Sequence, residues 1–175
     1  MTDDQFLDEL ALHEGGASND KNDAGGLTIY GLSANDLREL LGREPVMADR
    51  DRAVTRDIAR AFAARKYLAP FSGIEHADLR YLIVDTAFVQ GIPFASRSIQ
   101  QIVGAKVDGD VGPLTCAAIN ELDGHELMKL YVRRRIQRFI HTAYAEVSAF
   151  TVRTTDLAYL EGWIMRALDT GVDPL

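Results

Sequence analysis

Apolar residues recur at helical spacing through most of this 175-residue chain, and this repeat restricts the possible folds more than any other feature. Runs in which β-branched residues alternate with polar ones do not exceed about five residues. The pattern predicts helices over residues 3–13, 33–42, 53–67, 77–89, 93–103, 113–122, 125–150 and 156–168. Pro93 and Pro113 stand where a first helical turn tolerates proline. We therefore predict an all-α fold of seven or eight helices.

One segment interrupts the helical pattern. Residues 15–33 contain five of the 14 glycines together with several Asn and Asp residues, a composition typical of turns and of backbone that approaches a ligand closely. We predict an irregular stretch or a small β-hairpin here, and we expect function to lie in it. Ser33 and Asp36 have the spacing of a capping box for the helix that follows, which Gly42 should end.

Size and charge exclude several classes of protein. A mass of 19.3 kDa allows one compact body with a well-buried core. With 19 basic and 26 acidic residues the net charge is −7, which argues against binding to nucleic acid. No apolar run approaches the ~20 residues that cross a bilayer, and the acidic N-terminus lacks signal-peptide features. We expect synthesis in the cytoplasm without membrane insertion, and a single Cys116 predicts no internal disulfide.

Glu14 is the first candidate for chemistry. It follows an amphipathic helical segment and precedes two glycines, so its carboxyl is expected near the negative end of the helix dipole. That position disfavours the ionised carboxylate and so favours the protonated form that a general acid needs. The alternative is a solvated glutamate at a helix end.

The run from Glu14 to Gly31 resembles the signature of glycoside hydrolase family 108, the N-acetylmuramidases of phage endolysins and related lysozymes. It reads EGGASNDKNDAGGLTIYG and differs from the usual pattern at Ala17, normally aromatic, and Ala24, normally proline. The resemblance implies a lysozyme-like fold, with Glu14 as the catalytic acid. It also implies a substrate, the β-1,4 bond between N-acetylmuramic acid and N-acetylglucosamine in peptidoglycan.

The spacing within this run is also similar to that of phage-type lysozymes, although the last gap is one residue shorter. Eight residues separate Glu14 from Asp23 and four separate Asp23 from Thr28. By this resemblance Asp23 and Thr28 position water or stabilise the charge of the transition state. Asn19, Asp20 and Tyr30 are predicted to contact substrate. The aspartates are alternatively turn formers, and Tyr30 is alternatively a core residue.

A second turn, from Asp108 to Thr115, carries its own resemblance. Its sequence, DGDVGPLT, is similar to an element of peptidoglycan-binding domains, and the segment from about residue 67 to 166 resembles the predicted peptidoglycan domain that usually follows the family 108 signature. Asp108 and Thr115 are therefore predicted to contact glycan, with a purely structural turn as the alternative. Neither this turn nor residues 20–31 completes a calcium loop, so we predict no metal and no cofactor.

Four arginines, Arg133, Arg134, Arg135 and Arg138, fall in one predicted helix, where successive residues face different directions, and most of this run is interpreted as a solvated face with one or two ion pairs. We predict a catalytic segment at residues 1–70 and a peptidoglycan-binding-like segment at 71–175, packed as one body.

The predicted protein is a monomeric muramidase that acts on peptidoglycan strands in the periplasm or cell wall. A holin or a secretion helper is its expected route to that substrate. Two alternatives are a lytic transglycosylase, which would use Glu14 alone, and a non-catalytic wall-binding or virion structural protein.

Overall fold

The computed structural model describes residues 2–12, 17–18 and 27–148, with side-chain surroundings for residues 2–8 and 27–142. The chain divides into two compact units, Met1–Pro70 and Phe71–Leu175. Seven α-helices lie in the described residues, and the only strands there are two residues long. The all-α prediction is confirmed, while the helix predicted at 156–168 lies outside the described residues.

The first unit contains helices α1 (Asp3–Leu12), α2 (Ala34–Leu41) and α3 (Arg56–Ala63), with strands β1 (Ala17–Ser18) and β2 (Thr28–Ile29) between α1 and α2. Its core is a cluster of apolar side chains that β2, α2 and α3 contribute with the loops between them. The members of this cluster are Ile29, Leu32, Leu37, Val54, Ala59 and Phe62.

Local signals set the ends of α2 as the sequence predicts. Ser33 Oγ accepts a hydrogen bond from the Asp36 amide at 3.3 Å, and Asp36 Oδ2 accepts one from the Ser33 amide at 3.2 Å, which completes the capping box. Gly42 ends the helix in a left-handed conformation, with φ of 67°.

Helix α3 is shorter than the predicted span of residues 53–67. It begins at Arg56 because Thr55 caps it, accepting a hydrogen bond from the Ile58 amide at 3.3 Å. After Ala63 the chain widens into a π-helical turn, Ala64–Leu68, followed by a 3₁₀ turn, Ala69–Phe71. The apolar repeat continues through these turns, which explains why periodicity alone overestimates the helix.

The second unit contains α4 (Ala77–Gln90), α5 (Ile92–Val103), α6 (Pro113–Asn120) and α7 (Gly124–Ser148). Every residue of α4 from Tyr81 to Ala87 is buried, so this helix is the centre of the unit. Helices α5 and α7 both pack against α4 and against each other, and α6 packs on α5. Pro93 and Pro113 occupy the first turns of α5 and α6, as predicted.

Candidate functional site

The small hairpin of the first unit organises the region of the predicted signature. Strands β1 and β2 are antiparallel, with Ala17 opposite Ile29 and Ser18 opposite Thr28. Glu14 follows the last residue of α1 by two positions and precedes β1 by three. Glu14 itself, and the predicted site residues Asn19, Asp20 and Asp23, lie outside the described residues.

Thr28 is the predicted catalytic residue that the structure describes. Its side chain is buried, with 7% exposure, and its hydroxyl Oγ1 has no hydrogen-bond partner in the described part of the chain. A buried hydroxyl left unpaired costs about 1–3 kcal/mol, so such groups are normally satisfied by protein, water or ligand. Among the described residues, the Thr28 hydroxyl is therefore a donor and acceptor of β2 that is available to water or a ligand.

Tyr30 lies in the tight turn that follows β2. The Ile29 amide donates to the Leu32 carbonyl at 3.1 Å, and the Leu32 amide donates to the Ile29 carbonyl at 3.0 Å. Tyr30 has φ of 50° and Gly31 has φ of 79°, which is the pattern of a type I′ turn. Tyrosine is strained there by roughly 1–2 kcal/mol, because the left-handed region crowds its Cβ atom.

Contacts from a second loop hold the Tyr30 side chain. Its hydroxyl donates a hydrogen bond to Asp51 Oδ1, and the Arg50 guanidinium lies 5.7 Å from the centroid of its ring. The ring also packs beside the core cluster around Ile29. The Tyr30 side chain is thus held at its hydroxyl by Asp51 and at its ring by the core cluster. Contact of Tyr30 with a sugar remains a prediction. No local motif marks Arg50 and Asp51, so sequence reasoning missed them.

An ion-pair cluster fixes α1, the helix from which the chain continues to Glu14. Arg60 on α3 donates to Asp8 at 2.6 Å and to Asp4 at 3.0 Å. Asp4 is mostly exposed and contributes little, whereas Arg60 and Asp8 are partly shielded from solvent. The partners are more than 50 residues apart in sequence, so no spacing rule reveals the contact.

In the second unit, Asp108 shapes the turn between α5 and α6. Its Oδ1 accepts hydrogen bonds from Gln100 Nε2 at 2.8 Å and from the Asp110 amide at 3.0 Å. Gln100 is fully buried and also accepts a bond from the Gly109 amide at 2.9 Å. Thr115 is buried in the first turn of α6. Asp108 Oδ1 thus accepts its hydrogen bonds from within the turn and from Gln100. Contact of Asp108 or Thr115 with glycan remains a prediction.

The lowered pKa values of two carboxyl groups, those of Asp108 and Asp49, indicate how the stability of the fold depends on acid pH. Hydrogen bonds from the Asp110 amide, Gln100 and Lys106 lower the pKa of Asp108 to about 2. Bonds from Arg43 and then the Val46 amide lower the pKa of Asp49 to about 2. Since these values lie below the unfolded value near 3.9, both groups stabilise the fold above about pH 4, and this contribution is lost as the pH falls toward 2.

We expect the melting temperature to fall across this pH range. Asp108→Asn, which keeps an acceptor for the Asp110 amide, should make the decline shallower in thermal melts recorded from pH 5 to pH 2. If the melting temperature of this variant falls between pH 5 and pH 2 as steeply as that of the wild type, the stabilising role of the Asp108 carboxylate is contradicted.

Most of the arginine run is exposed, in line with the prediction of a solvated face for most of it, and one position is buried. Arg135 is fully buried and forms an ion pair with Asp85, while its guanidinium lies 5.8 Å from the ring centroid of Phe139. The other three arginines are exposed. Arg135 faces inward because α7 buries a stripe at helical spacing that includes Tyr131 and Phe139.

Within the described residues, no group of three or more His, Cys, Asp or Glu side chains is arranged to hold a metal ion. The same part of the chain contains no helix that is long and apolar enough to span a membrane.

Two family models match this chain in succession. Residues 7–91 match the family described as Glycosyl hydrolase 108, and residues 94–168 match the family described as Predicted Peptidoglycan domain. None of the curated proteins compared with the chain matches it significantly. The fold and the two matches define the class of the protein, which is a peptidoglycan hydrolase. More narrowly, residues 7–91 belong to glycoside hydrolase family 108, as the signature from Glu14 to Gly31 predicts, and residues 94–168 belong to the peptidoglycan domain that the turn from Asp108 to Thr115 predicts.

The border between the two matches falls near Gly91, between α4 and α5, whereas the compact units divide after Pro70. Helix α4 is therefore covered by the first family model and lies in the second unit.

The solved structure of SagA from Brucella abortus is similar to this chain over nearly the whole length. The TM-score is 0.75 at 22% sequence identity, and the similarity covers 98% of this chain and 97% of that one. At this identity the likeness establishes a shared fold.

Proposed function

We propose that the protein is an N-acetylmuramidase that hydrolyses the β-1,4 bond between N-acetylmuramic acid and N-acetylglucosamine. The observation that carries the proposal is the signature beginning at Glu14, which lies within the family match over residues 7–91. In this mechanism Glu14 donates a proton to the oxygen of the leaving sugar, which lowers the cost of breaking the glycosidic bond.

Chain connectivity supports a shared site for Glu14 and Thr28. Three residues lead from Glu14 to Ala17 and can span at most ~11 Å, and Ala17 is paired with Ile29, the neighbour of Thr28. The ion pairs of Arg60 with α1 hold the preceding helix against α3. The chain therefore leaves a helix that is held in place at Leu12 and begins the hairpin at Ala17, and Glu14 is one of the four residues between them.

Glycoside hydrolysis needs a second group besides the acid, one that activates water or stabilises the oxocarbenium-like transition state. We assign this role to Asp23, assisted by Thr28. The unpaired, buried Thr28 hydroxyl supports the assignment, because binding a reacting water would give this group the partner that the described residues do not supply.

Thr28→Val separates a catalytic role for this hydroxyl from a structural one. Valine keeps the branched shape and removes the hydroxyl that the described residues leave unpaired, so the melting temperature should stay equal or rise. Turnover of purified cell walls should nevertheless fall, by about tenfold or more, if the hydroxyl positions water. Full activity in a stable Thr28→Val variant would exclude the role.

Product masses test the reaction itself. A hydrolase releases muropeptides with reducing ends, whereas a lytic transglycosylase releases 1,6-anhydro products that are lighter by one water. Digestion of purified peptidoglycan followed by mass spectrometry should give the heavier series. The anhydro series alone would replace the proposed mechanism with one in which Glu14 acts without an activated water.

Further elements of the proposal concern binding and delivery. Asn19, Asp20, Tyr30, Asp108 and Thr115 are proposed to contact the glycan. The protein is proposed to act as a monomer on the wall, with a holin or a secretion helper giving access. We also propose that the two predicted segments work as one body.

A further inference from the structure

Two stretches of this acidic chain contain basic residues and no acidic ones. Residues 92–107 and 127–145 contain seven of the 19 Lys and Arg residues and none of the 26 Asp and Glu residues. These stretches include α5 and most of α7, which pack against each other in the second unit. The segregation is strong because acidic residues outnumber basic ones elsewhere in the chain.

Two exposed arginines of α7 contact α5, and a third exposed arginine, Arg97, lies on α5 itself, with its guanidinium beside Gly109 of the following turn. Arg134 donates to Gln101 Oε1, and the Arg138 guanidinium lies 5.5 Å from the ring centroid of Phe94. Arg97 lies between Phe94 and Gln101 on α5, at the helical spacings that place all three on one side. We call this surface, made of Phe94, Arg97, Gln101, Arg134 and Arg138, the arginine face.

The charges of the arginine face are not neutralised within the described part of the chain. None of its three arginines forms an ion pair there with a carboxylate. The first acidic residues after α5 are Asp108 and Asp110, and the Asp108 carboxylate is bonded to Gln100 and paired with Lys106 at 3.3 Å. By contrast, Lys129 on another side of α7 is paired with Glu126 at 3.0 Å.

We propose that the arginine face binds the carboxylates of the peptide stems of peptidoglycan. The inference rests on the proposed function, because the peptide stems belong to the same peptidoglycan whose sugar chain the enzyme is proposed to cleave. Guanidinium groups bind carboxylates in a bidentate geometry, and each stem carries several carboxylates that a sugar-binding groove leaves unused. Arg134 and Arg138 are one helical turn apart, ~6 Å along the axis, so they can contact two carboxylates at once.

Other polyanions fit less well. Nucleic acid and anionic membranes would be repelled by the acidic remainder of the chain, whose net charge is −7 even with the arginine face included. A short peptide stem contacts the arginine face alone and meets less of that repulsion, because charges more than about 8 Å away are screened at physiological salt.

Sedimentation with purified sacculi tests the proposal in a Glu14→Gln background, which is meant to prevent digestion. The probe variant is Arg134→Glu with Arg138→Glu. The matched control is Lys129→Glu with Arg133→Glu, which makes the same charge change on α7 but points about 100° or more away from the arginine face. The probe should bind at least about tenfold more weakly and the control within about twofold of the parent.

A second substrate separates binding to stem carboxylates from binding to sugars. Sacculi whose stem carboxylates have been converted to neutral amides keep their cross-links and still sediment; they should bind the parent protein weakly and should no longer distinguish the probe from the control. Arg97→Glu, on the other helix, should weaken binding to intact sacculi. Circular dichroism and thermal melts verify that each variant is folded, and Arg134→Gln with Arg138→Gln should give an intermediate affinity without charge reversal.

Three results would overturn the inference: equal binding by probe and control, equal binding of the parent to untreated and amidated sacculi, or equally tight binding to DNA or anionic vesicles. Failure of the proposed function gives a different result. In that case the Glu14→Gln protein still digests sacculi or the wild-type protein digests none, and binding is then measured with isolated stem peptides.

Discussion

Replacing Glu14 by glutamine is expected to lower the rate of peptidoglycan hydrolysis by about 10²–10⁴-fold. The amide is nearly the same size as the carboxyl but has no acidic proton to donate to the leaving oxygen. The measurement is the release of soluble muropeptides from purified cell walls, followed by reducing-end analysis. The melting temperature should stay unchanged, because the substitution removes a proton donor without removing volume.

Glu44→Gln is the matched control for this experiment. Glu44 is also in the first unit, its side chain is 74% exposed, and it forms an ion pair with the surface residue Arg38. It should therefore retain wild-type activity. Asp23→Asn should also lower activity, and the loss should be smaller than that of Glu14→Gln or similar to it. Wild-type clearance of cell walls by the Glu14 variant would show that another group is the acid.

The sequence predicts those features of the fold that depend on neighbouring residues. Ser33 and Asp36 are three positions apart, so the capping box forms from the chain's own geometry. Gly42 ends α2 because glycine adopts the left-handed conformation at little cost. The glycines and aspartates of residues 15–33 cannot continue a helix, and the structure has β1 and β2 within that range. Each of these sequence signals acts through residues close in the chain, so it can be interpreted without knowing which distant segments pack together.

Contacts between distant residues could not be predicted in the same way. Tyr30 and Asp51 are 21 residues apart, and neither belongs to a motif that announces the other. Arg135 stands in a run of arginines that is typical of a solvated face, yet packing of α7 against α4 places this one side chain in the interior. Periodicity shows which side of a helix is apolar, but a buried charge at one point of that stripe contradicts the pattern locally.

Removing the carboxylate of Asp85 should be strongly destabilising. Arg135 is fully buried, and its Nε and Nη1 atoms make no hydrogen bond within the described part of the chain, so the ion pair with Asp85 is its charge compensation there. Breaking a buried pair from one side leaves an uncompensated charge in the interior and typically costs about 3–5 kcal/mol. Asp85→Ala should show this loss in the free energy of unfolding from urea titration.

The double variant Asp85→Leu with Arg135→Met distinguishes a charge effect from a packing effect. It removes both charges while filling similar volume, so it should recover most of the stability that Asp85→Ala loses. Arg134→Met on the same helix is exposed and should change the free energy of unfolding by less than about 0.5 kcal/mol. If the double variant is as unstable as Asp85→Ala, the pair contributes through its shape and its remaining contacts. If Asp85→Ala is as stable as wild type, Arg135 must reach solvent, and the buried pair would not describe the protein in solution.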